Sequence, residues 1–282
     1  MDIGLIGLGL LGSSLAGRLI AGGFTVTGFD VNPKARQSLE QIGGRPVDSA
    51  QAVTAACRRV VLSLPNSDVV ASLMCGIEPG EGDVIIDTTT GDPERTASLG
   101  RELATRQIRY LDAEIGGSSG QVRDSDVIVL CGGEADVYTQ CADVFSCFAR
   151  RTFHLGGWGS GARMKLALNL VLGLNRAVLA EGLGFAEAMG FAPEIALEIF
   201  KAGPAYSRAM DVKGKKMTGG DFTPEARLSQ HLKDVRLILA AGERCGARLP
   251  LSIQHRQLLD EAESEGLGDA DNSAVIQLFR RR

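Results

Sequence analysis

The first half of the chain alternates short apolar runs with amphipathic segments. The apolar runs indicate buried β-strands, because strands of a parallel sheet are covered on both faces and carry few polar residues. They lie at positions 3–6, 24–29, 60–64, 84–87, 109–113 and 127–131. The segments between them have helical spacing and lie at 13–21, 33–42, 49–56, 69–75 and 94–106. This alternation predicts an α/β fold, a doubly wound Rossmann domain with right-handed crossovers.

From about position 161 the strand pattern ends and helical periodicity continues to the end of the chain. Segment 162–189 contains no proline and predicts one unusually long helix that ends at Gly190. Its broad apolar faces indicate burial between domains or subunits. Further helices are predicted at 194–202, 224–245, 251–265 and 273–281. We therefore predict a dinucleotide-binding domain over 1–161 and an all-α domain over 162–282, joined by the long interdomain helix with a cleft beside it.

Composition and charge narrow the class of protein. A net charge of −4 gives no general attraction for nucleic acid. The N-terminus has no charged segment followed by a cleavage site, and the long helix carries charged and amide side chains. The six cysteines form no Cys-x-x-Cys pair, as expected of reduced thiols. We expect a cytoplasmic protein with neither a nucleic-acid nor a membrane partner, and with no bound metal.

A glycine-rich turn follows the first apolar run. Gly7, Gly9 and Gly12 form the pattern Gly-x-Gly-x-x-Gly, with Leu8, Leu10 and Leu11 between them. In this pattern the first glycine permits a tight turn, the second lets a pyrophosphate approach the backbone, and the third lets the next helix pack closely. The N-terminus of that helix favours an anion. We predict that residues 7–12 bind a dinucleotide.

Asp30 ends the second predicted strand, 18 positions after Gly12. This spacing is close to that of an acid that bonds the adenosine ribose hydroxyls. Its carboxylate repels a 2′-phosphate, and Val31 offers no cation to bind one, so NAD is favoured over NADP. The alternative is that Asp30 only caps the turn at Asn32 and Pro33.

Lys165 lies in the first turn of the predicted long helix, and Asn169 follows four positions later. This spacing places both side chains on one helix face. The positive helix end and a partly dry cleft favour a depressed lysine pKa, so Lys165 is a candidate general acid and base for a hydroxyl and a carbonyl. The alternative is an exposed lysine at a helix start.

Together these features resemble the β-hydroxyacid dehydrogenase family, which includes 3-hydroxyisobutyrate dehydrogenase and glyoxylate/succinic semialdehyde reductases. The similarity covers nearly the whole chain. It is carried by the segments GLGLLGSSLA at 7–16, LPN at 64–66, DTTT at 87–90, GSGARMKLALN at 159–169, KD at 233–234 and DNSA at 271–274. The family has a pair of amides at 168–169, of which this chain keeps Asn169. Leu64, Pro65, Thr90 and Lys233 occupy positions that the resemblance assigns to the cofactor.

The resemblance implies a mechanism. NAD would lie across the first domain, and Lys165 would exchange a proton with the substrate oxygen as hydride moves to or from the nicotinamide. Asn169 would orient the substrate or Lys165. The substrate strip departs from the family pattern Asp-Ala-Pro-Val-Ser-Gly-Gly and reads DAEIGGS at 112–118. Backbone N–H groups of Gly116, Gly117 and Ser118 could still bind the acid group of a substrate.

These observations predict an NAD(P)-dependent enzyme acting on a small 3-hydroxy acid or the corresponding aldehyde acid. A homodimer or homotetramer is expected from the family. Three alternatives remain: a phosphogluconate-dehydrogenase-like enzyme, an imine-reductase-like enzyme and a non-catalytic NAD-binding module. The first group has longer chains, the second lacks this lysine as general acid, and the third has no need of Lys165, Asn169 and Lys233 together.

Overall fold

The computed structural model describes residues 1–280, which divide into two compact units at the start of a long helix. Unit 1 spans residues 1–165 and contains every strand of the sheet. Unit 2 begins at residue 166 and is helical. The long helix, Ser160–Ala188, begins in unit 1 and continues as the first helix of unit 2. The predicted combination of a Rossmann-type sheet domain and an all-α domain is confirmed.

Unit 1 is built on one eight-stranded sheet with the order β3-β2-β1-β4-β5-β6-β7-β8. The strands are β1 (Asp2–Ile6), β2 (Thr25–Phe29), β3 (Arg45–Pro46), β4 (Arg59–Leu62), β5 (Val84–Asp87), β6 (Arg109–Gly116), β7 (Val127–Gly133) and β8 (Ala149–His154). All neighbouring pairs are parallel except β6 and β7, which are antiparallel. The connection between β6 and β7 is too short for a parallel crossover, which needs a dozen or more residues.

Helices cover both faces of this sheet. They are α1 (Leu10–Ala21), α2 (Pro33–Gln41), α3 (Ala50–Ala56), α4 (Ser67–Cys75), α5 (Pro93–Thr105), α6 (Ser119–Arg123), α7 (Ala135–Gln140) and α8 (Ala142–Ser146). Two buried apolar clusters result, one centred on Leu15, Ile86 and Phe145, the other on Val53, Leu62 and Ile85. Because the strands are buried on both faces, the carboxyl ends of β1, β4 and β5 supply the loops available to a ligand.

Two strands were not predicted, and both lie at the edges of the sheet. β3 has two residues and contains Pro46, which can occupy an edge because it lacks an N–H group. β8 has the sequence ARRTFH and no fully buried residue. An edge strand needs no continuous apolar run, so the pattern that reveals the central strands is missing from both.

Unit 2 consists of helix α9 (Ser160–Ala188) from residue 166, α10 (Pro193–Ala202), α11 (Arg208–Gly219), α12 (Leu228–Cys245) and α13 (Pro250–Ala262), followed by a π-helical turn (Glu263–Leu267) and a 3-10 helix (Asn272–Arg280). Its core includes Leu183, Met217, Leu232 and Leu259. The predicted final helix at 273–281 is of 3-10 type, and position 281 lies outside the described residues. Helix α11 was not predicted, since it is rich in lysine and glycine.

Helix α9 is long and apolar enough to cross a membrane by length and composition alone. Two of its polar side chains, Asn169 and Arg176, are nevertheless buried in unit 2, at 6% and 5% exposure. The Asn169 amide donates to Asp234 of α12 at 2.9 Å. Burial of polar groups against protein partners is the arrangement of a packed core helix rather than of a helix surrounded by lipid.

Candidate active site

The three glycines of the first turn occupy three different environments. Gly7 has a positive φ of 94°, and an added Cβ would overlap the Ser63 carbonyl oxygen. A Cβ on Gly12 would overlap the carbonyl oxygen of Gly7, so this glycine lets α1 pack against the end of β1. By contrast, a Cβ on Gly9 would meet nothing within 4 Å among the described residues. The turn therefore leaves open space at the one glycine whose predicted role is close approach of a pyrophosphate.

Asp30 binds this turn through its side chain. One carboxylate oxygen accepts a hydrogen bond from the Leu8 N–H at 2.7 Å, and the other accepts from the Asn32 N–H at 2.8 Å. Asp30 thus caps the turn before α2 and also lies beside the glycine loop. Sequence reasoning missed Arg36, whose guanidinium donates to the Asp30 carbonyl oxygen at 2.7 Å and lies 5.7 Å from the Phe29 ring centre. The signal in the sequence that could have revealed Arg36 was its position one turn after the start of α2, close to Asp30.

The loops after β4 and β5 meet beside this turn. The Leu64 N–H donates to the Thr89 hydroxyl at 3.1 Å, which joins the segment containing Leu64 and Pro65 to the segment containing Thr90. Below them Asp87 accepts from the Tyr110 hydroxyl at 2.8 Å and from the Thr89 N–H at 2.9 Å. Burial raises the pKa of Asp87, although these hydrogen bonds oppose the rise.

Asp112 fixes the beginning of α9 on the sheet. Its carboxylate accepts from the Gly159 and Ala162 N–H groups, each at 3.0 Å. Burial raises its pKa to about 6 in spite of these two hydrogen bonds. A Cβ on Gly161 would overlap the Leu130 carbonyl oxygen and lie 2.6 Å from that of Asp112, so only glycine permits this approach. The contact determines where the first turn of α9, and hence Lys165, lies against β6.

Lys165 is buried, with 7% of its surface exposed, and its ammonium nitrogen donates to the carbonyl oxygen of Ile115. The residue before Ile115 is Glu114, which is 1% exposed and accepts from the Thr90 hydroxyl at 2.8 Å. Burial raises the pKa of Glu114 well above its usual range, and the Lys165 charge opposes the rise. Sequence reasoning noted the departure at this position but did not place Glu114 at the site. The signal that could have placed Glu114 at the site was the presence of an acidic residue inside an apolar strand.

The predicted substrate strip follows directly from these residues. Gly116 ends β6 and pairs with Ile128 of β7. Ser118 caps α6: its hydroxyl accepts from the Gln121 N–H at 3.3 Å, and its own N–H donates to the Gln121 side chain at 3.1 Å. Both groups of Ser118 are therefore already paired, and the predicted role of Gly116, Gly117 and Ser118 in binding an acid group stays a prediction.

In unit 2, Asn169 and Lys233 share one carboxylate. Asp234 accepts from the Asn169 amide at 2.9 Å and forms an ion pair with the Lys233 ammonium at 3.1 Å. The predicted site residues therefore fall into two groups. In unit 1, Lys165 lies beside β6 with Glu114 and Thr90, whereas in unit 2 Asn169 and Lys233 meet at Asp234. Lys165 and Asn169 lie one turn apart on α9.

Comparison with known proteins identifies the family. Residues 2–156 match the family model for the NAD binding domain of 6-phosphogluconate dehydrogenase. Residues 159–279 match the model for the NAD-binding domain of NADP-dependent 3-hydroxyisobutyrate dehydrogenase. The chain belongs to the β-hydroxyacid dehydrogenase family. The predicted family is thus confirmed, and with it an NAD(P)-dependent oxidoreductase of the hydroxyacid dehydrogenase class.

Individual relatives within this family are similar over most of their length. A 2-(hydroxymethyl)glutarate dehydrogenase of Eubacterium barkeri is 31% identical over 85% of this chain and 81% of its own. Glyoxylate/succinic semialdehyde reductase 1 of Arabidopsis thaliana is 28% identical over 86% of each chain. The crystal structure of a 3-hydroxyisobutyrate dehydrogenase from Salmonella typhimurium has the same fold, with a TM-score of 0.92, 21% identity and 99% of each chain covered.

Family membership establishes a nicotinamide dinucleotide as the cofactor class. Family membership does not establish the preference for NAD over NADP, since the description of the second family model names an NADP-dependent enzyme. The residues of unit 1 fit a dinucleotide: Gly9 leaves space at the turn, Asp30 binds the turn at Leu8, and Arg36 donates to the Asp30 carbonyl oxygen. Bound there, the nicotinamide ring would accept or donate hydride.

Proposed function

We propose that the protein interconverts a small 3-hydroxy acid and the corresponding aldehyde acid, with Lys165 as general acid and base. The observation that carries this proposal is the burial of the Lys165 amine beside Ile115, directly before the predicted substrate strip. A lysine at a helix start with no such role would extend into solvent. The Lys165 amine is instead buried next to the chain segment predicted to bind the acid group of a substrate. At that position it can exchange a proton with the hydroxyl or carbonyl oxygen of the same substrate.

Each of the site residues has its own role in the proposed reaction. In the direction of reduction, the Lys165 ammonium donates its proton to the oxygen that becomes the hydroxyl group. In the direction of oxidation, the neutral amine removes that proton. The Ile115 carbonyl holds the amine in position, and the backbone of Gly116 and Gly117 binds the acid group, since the Ser118 N–H already donates to the Gln121 side chain. Asn169 orients the substrate or Lys165, and Lys233 approaches the cofactor, as the family resemblance implies.

The substrate class follows from shared chemistry. The names of the relatives point to 2-(hydroxymethyl)glutarate, glyoxylate and succinic semialdehyde, which all combine a carboxylate with a primary alcohol or an aldehyde. We propose a substrate with the same combination. A panel of small 3-hydroxy acids and aldehyde acids, including phosphono and sulfo analogues, tests this by the absorbance of the reduced nicotinamide. We further propose a cytoplasmic homodimer or homotetramer.

Replacement of Lys165 tests the mechanism. We expect Lys165→Ala to lower turnover by about 10²- to 10⁴-fold, since general acid–base catalysis contributes that much, while the Kd for the cofactor stays unchanged. Steady-state rates and cofactor fluorescence titration measure the two quantities. Lys215→Ala, at an exposed position of α11, is the matched control and should keep full activity. Full turnover in Lys165→Ala would contradict the mechanism, and equal loss of turnover and binding would indicate misfolding.

NAD is the cofactor that we propose to be preferred. Asp30 places a carboxylate beside the turn, where it repels a 2′-phosphate, whereas Arg36 is the nearby cation that favours one. We expect Asp30→Ala to shift the ratio of kcat/KM for NADP over NAD upward by about tenfold or more, as loss of one charge repulsion implies. Arg36→Ala should shift the ratio downward. An Asp30→Ala ratio equal to that of the wild type would remove Asp30 from the ribose site.

A further inference from the structure

Glu114 is a buried acid whose burial is not explained by its structural contacts. It lies inside β6, and its side chain points to the same face as Asp112 and away from Ala113 and Ile115, because side chains alternate along a strand. One carboxyl oxygen accepts from the Thr90 hydroxyl at 2.8 Å. The other is fully enclosed and has no hydrogen-bond partner within residues 1–280. An enclosed, unpartnered carboxyl oxygen costs free energy, so a purely structural role leaves it unexplained.

The charged groups around Glu114 come from three elements. Asp87 of β5 and Asp112 of β6 both oppose its ionisation, and the Tyr110 hydroxyl of β6 lies near the same carboxylates. Lys165 of α9 is the cation that favours its ionisation. The amine of Lys165 is held at the carbonyl group of Ile115, the next residue along β6. Glu114 therefore has two acidic neighbours, and its charge depends on the protonation state of Lys165.

We propose that Glu114 is a positioning residue whose buried carboxyl group, on the face of β6 to which Asp112 fixes the beginning of α9, sets the proton affinity of the catalytic Lys165 amine. This inference depends on the proposed role of Lys165 and adds a second residue to it. When Glu114 is a carboxylate it stabilises the Lys165 ammonium, and when it is a neutral acid that stabilisation is lost.

This arrangement has a direct consequence for catalysis. Reduction needs the ammonium form, which donates a proton, and oxidation needs the neutral amine, which accepts one. A buried lysine with no acid nearby would lose its proton at a lower pH, since burial disfavours the charged form. The Glu114 carboxylate counters that effect and keeps the ammonium available. Removal of the carboxylate should therefore move the alkaline limit of the reduction reaction to lower pH.

The experiment is a direct titration of Lys165 in the full-length protein. The chain has seven lysines, so the ε-carbon signals of protein labelled with ¹³C-lysine are few, and Lys165→Arg assigns the one of interest. Glu114→Gln keeps the volume and an acceptor for Thr90 but has no charge. We expect its Lys165 pKa to fall by at least about one unit relative to the wild type, as loss of a neighbouring opposite charge inside the protein implies.

Asp87→Asn is the matched control. It removes another fully buried carboxyl from the adjacent strand, where Tyr110 and Thr89 hold it, and we expect a much smaller change in the Lys165 titration. A Lys165 pKa that is unchanged in Glu114→Gln, or that changes equally in both variants, overturns the proposal.

The wild type supplies a second measurement that does not depend on the folding of any variant. If the charges of the two groups interact as proposed, the Lys165 signal titrates in two steps, one of which coincides with the titration of the ¹³C-labelled Glu114 carboxyl. A single independent step for each group overturns the proposal. Because neither titration requires turnover, a failed general acid–base role, seen as an active Lys165→Ala enzyme, is distinguishable from a failed coupling.

Discussion

The two units each contain a buried lysine, and the two lysines have opposite surroundings. Lys213 of α11 is 4% exposed and forms ion pairs with Asp271 at 2.9 Å and Glu225 at 3.3 Å. Lys165 is 7% exposed and donates to a backbone carbonyl group, that of Ile115. The same residue type is thus held once by carboxylates within a closed network and once at the end of a strand that leads into a predicted ligand site.

The acids beside the two lysines differ in the same way. Burial would raise the pKa of Asp271, but Lys213, the Glu225 N–H group and Ser273 lower it to about 2. For Glu114 burial prevails, and its pKa is raised well above the usual range. A closed ion pair is stabilising because each charge has partners, whereas a carboxyl group whose pKa is raised by burial keeps a proton available. This difference separates the structural lysine from the proposed catalytic one.

Replacing each lysine with methionine gives the largest expected contrast. Lys213→Met leaves the Asp271 carboxylate buried without its cation, so we expect the free energy of unfolding to fall by about 3–5 kcal/mol. Lys165→Met removes a buried charge whose proposed role is catalytic rather than structural. We therefore expect the free energy of unfolding to change by no more than about 1 kcal/mol. Urea unfolding of both variants at one pH measures the difference.

Activity measurements on the same two variants complete this test. Lys165→Met should lose turnover while keeping its stability, and Lys213→Met should lose stability while its folded fraction keeps turnover. An equally large loss of stability in Lys165→Met would show that both lysines are structural, and the contrast between the two units would no longer hold.

The sequence predicts the central strands and the long helix because their signals are local. Buried strands β1, β4 and β5 consist of continuous apolar runs, and α9 has no proline. The edge strands β3 and β8 escape prediction because their register depends on the neighbouring strand rather than on their own pattern. Helix α12 begins at Leu228 rather than near 224, and in the segment before it the N–H groups of Glu225 and Ala226 bind Asp271, a contact that no local pattern reveals.

The candidate site shows the same limit. The glycine turn and the pair Lys165 and Asn169 are visible as spacings, so sequence reasoning finds them. Glu114 and Arg36 become notable only once the fold brings Glu114 against Thr90 and Arg36 against Asp30. Their importance depends on contacts between residues 24 and 6 positions apart, and the local signals, an acid inside an apolar strand and an arginine in the first turns of a helix, do not reveal those contacts. Tertiary contacts, rather than periodicity, determine the chemistry of both.

The smallest expected effect is a difference in how stability depends on pH. Asp271 has a folded-state pKa of about 2, below its unfolded value, so its stabilisation is present above about pH 4 and is lost as the pH falls. It contributes about 2 kcal/mol in total, and about half of this is lost between pH 5 and pH 3. The stability advantage of the wild type over Asp271→Asn should therefore shrink over that range.

Glu114 should show the opposite sign, because its folded-state pKa is raised. The folded state then holds a proton that the unfolded state has released, so wild-type stability falls as the pH rises above the unfolded pKa of glutamate. Glu114→Gln has no such proton, and its stability relative to the wild type should increase from pH 5 to pH 8. Urea unfolding at matched pH values measures both trends. If the two variants follow the same trend, Glu114 is an ordinary partnered acid like Asp271, and the two buried lysines no longer differ in kind.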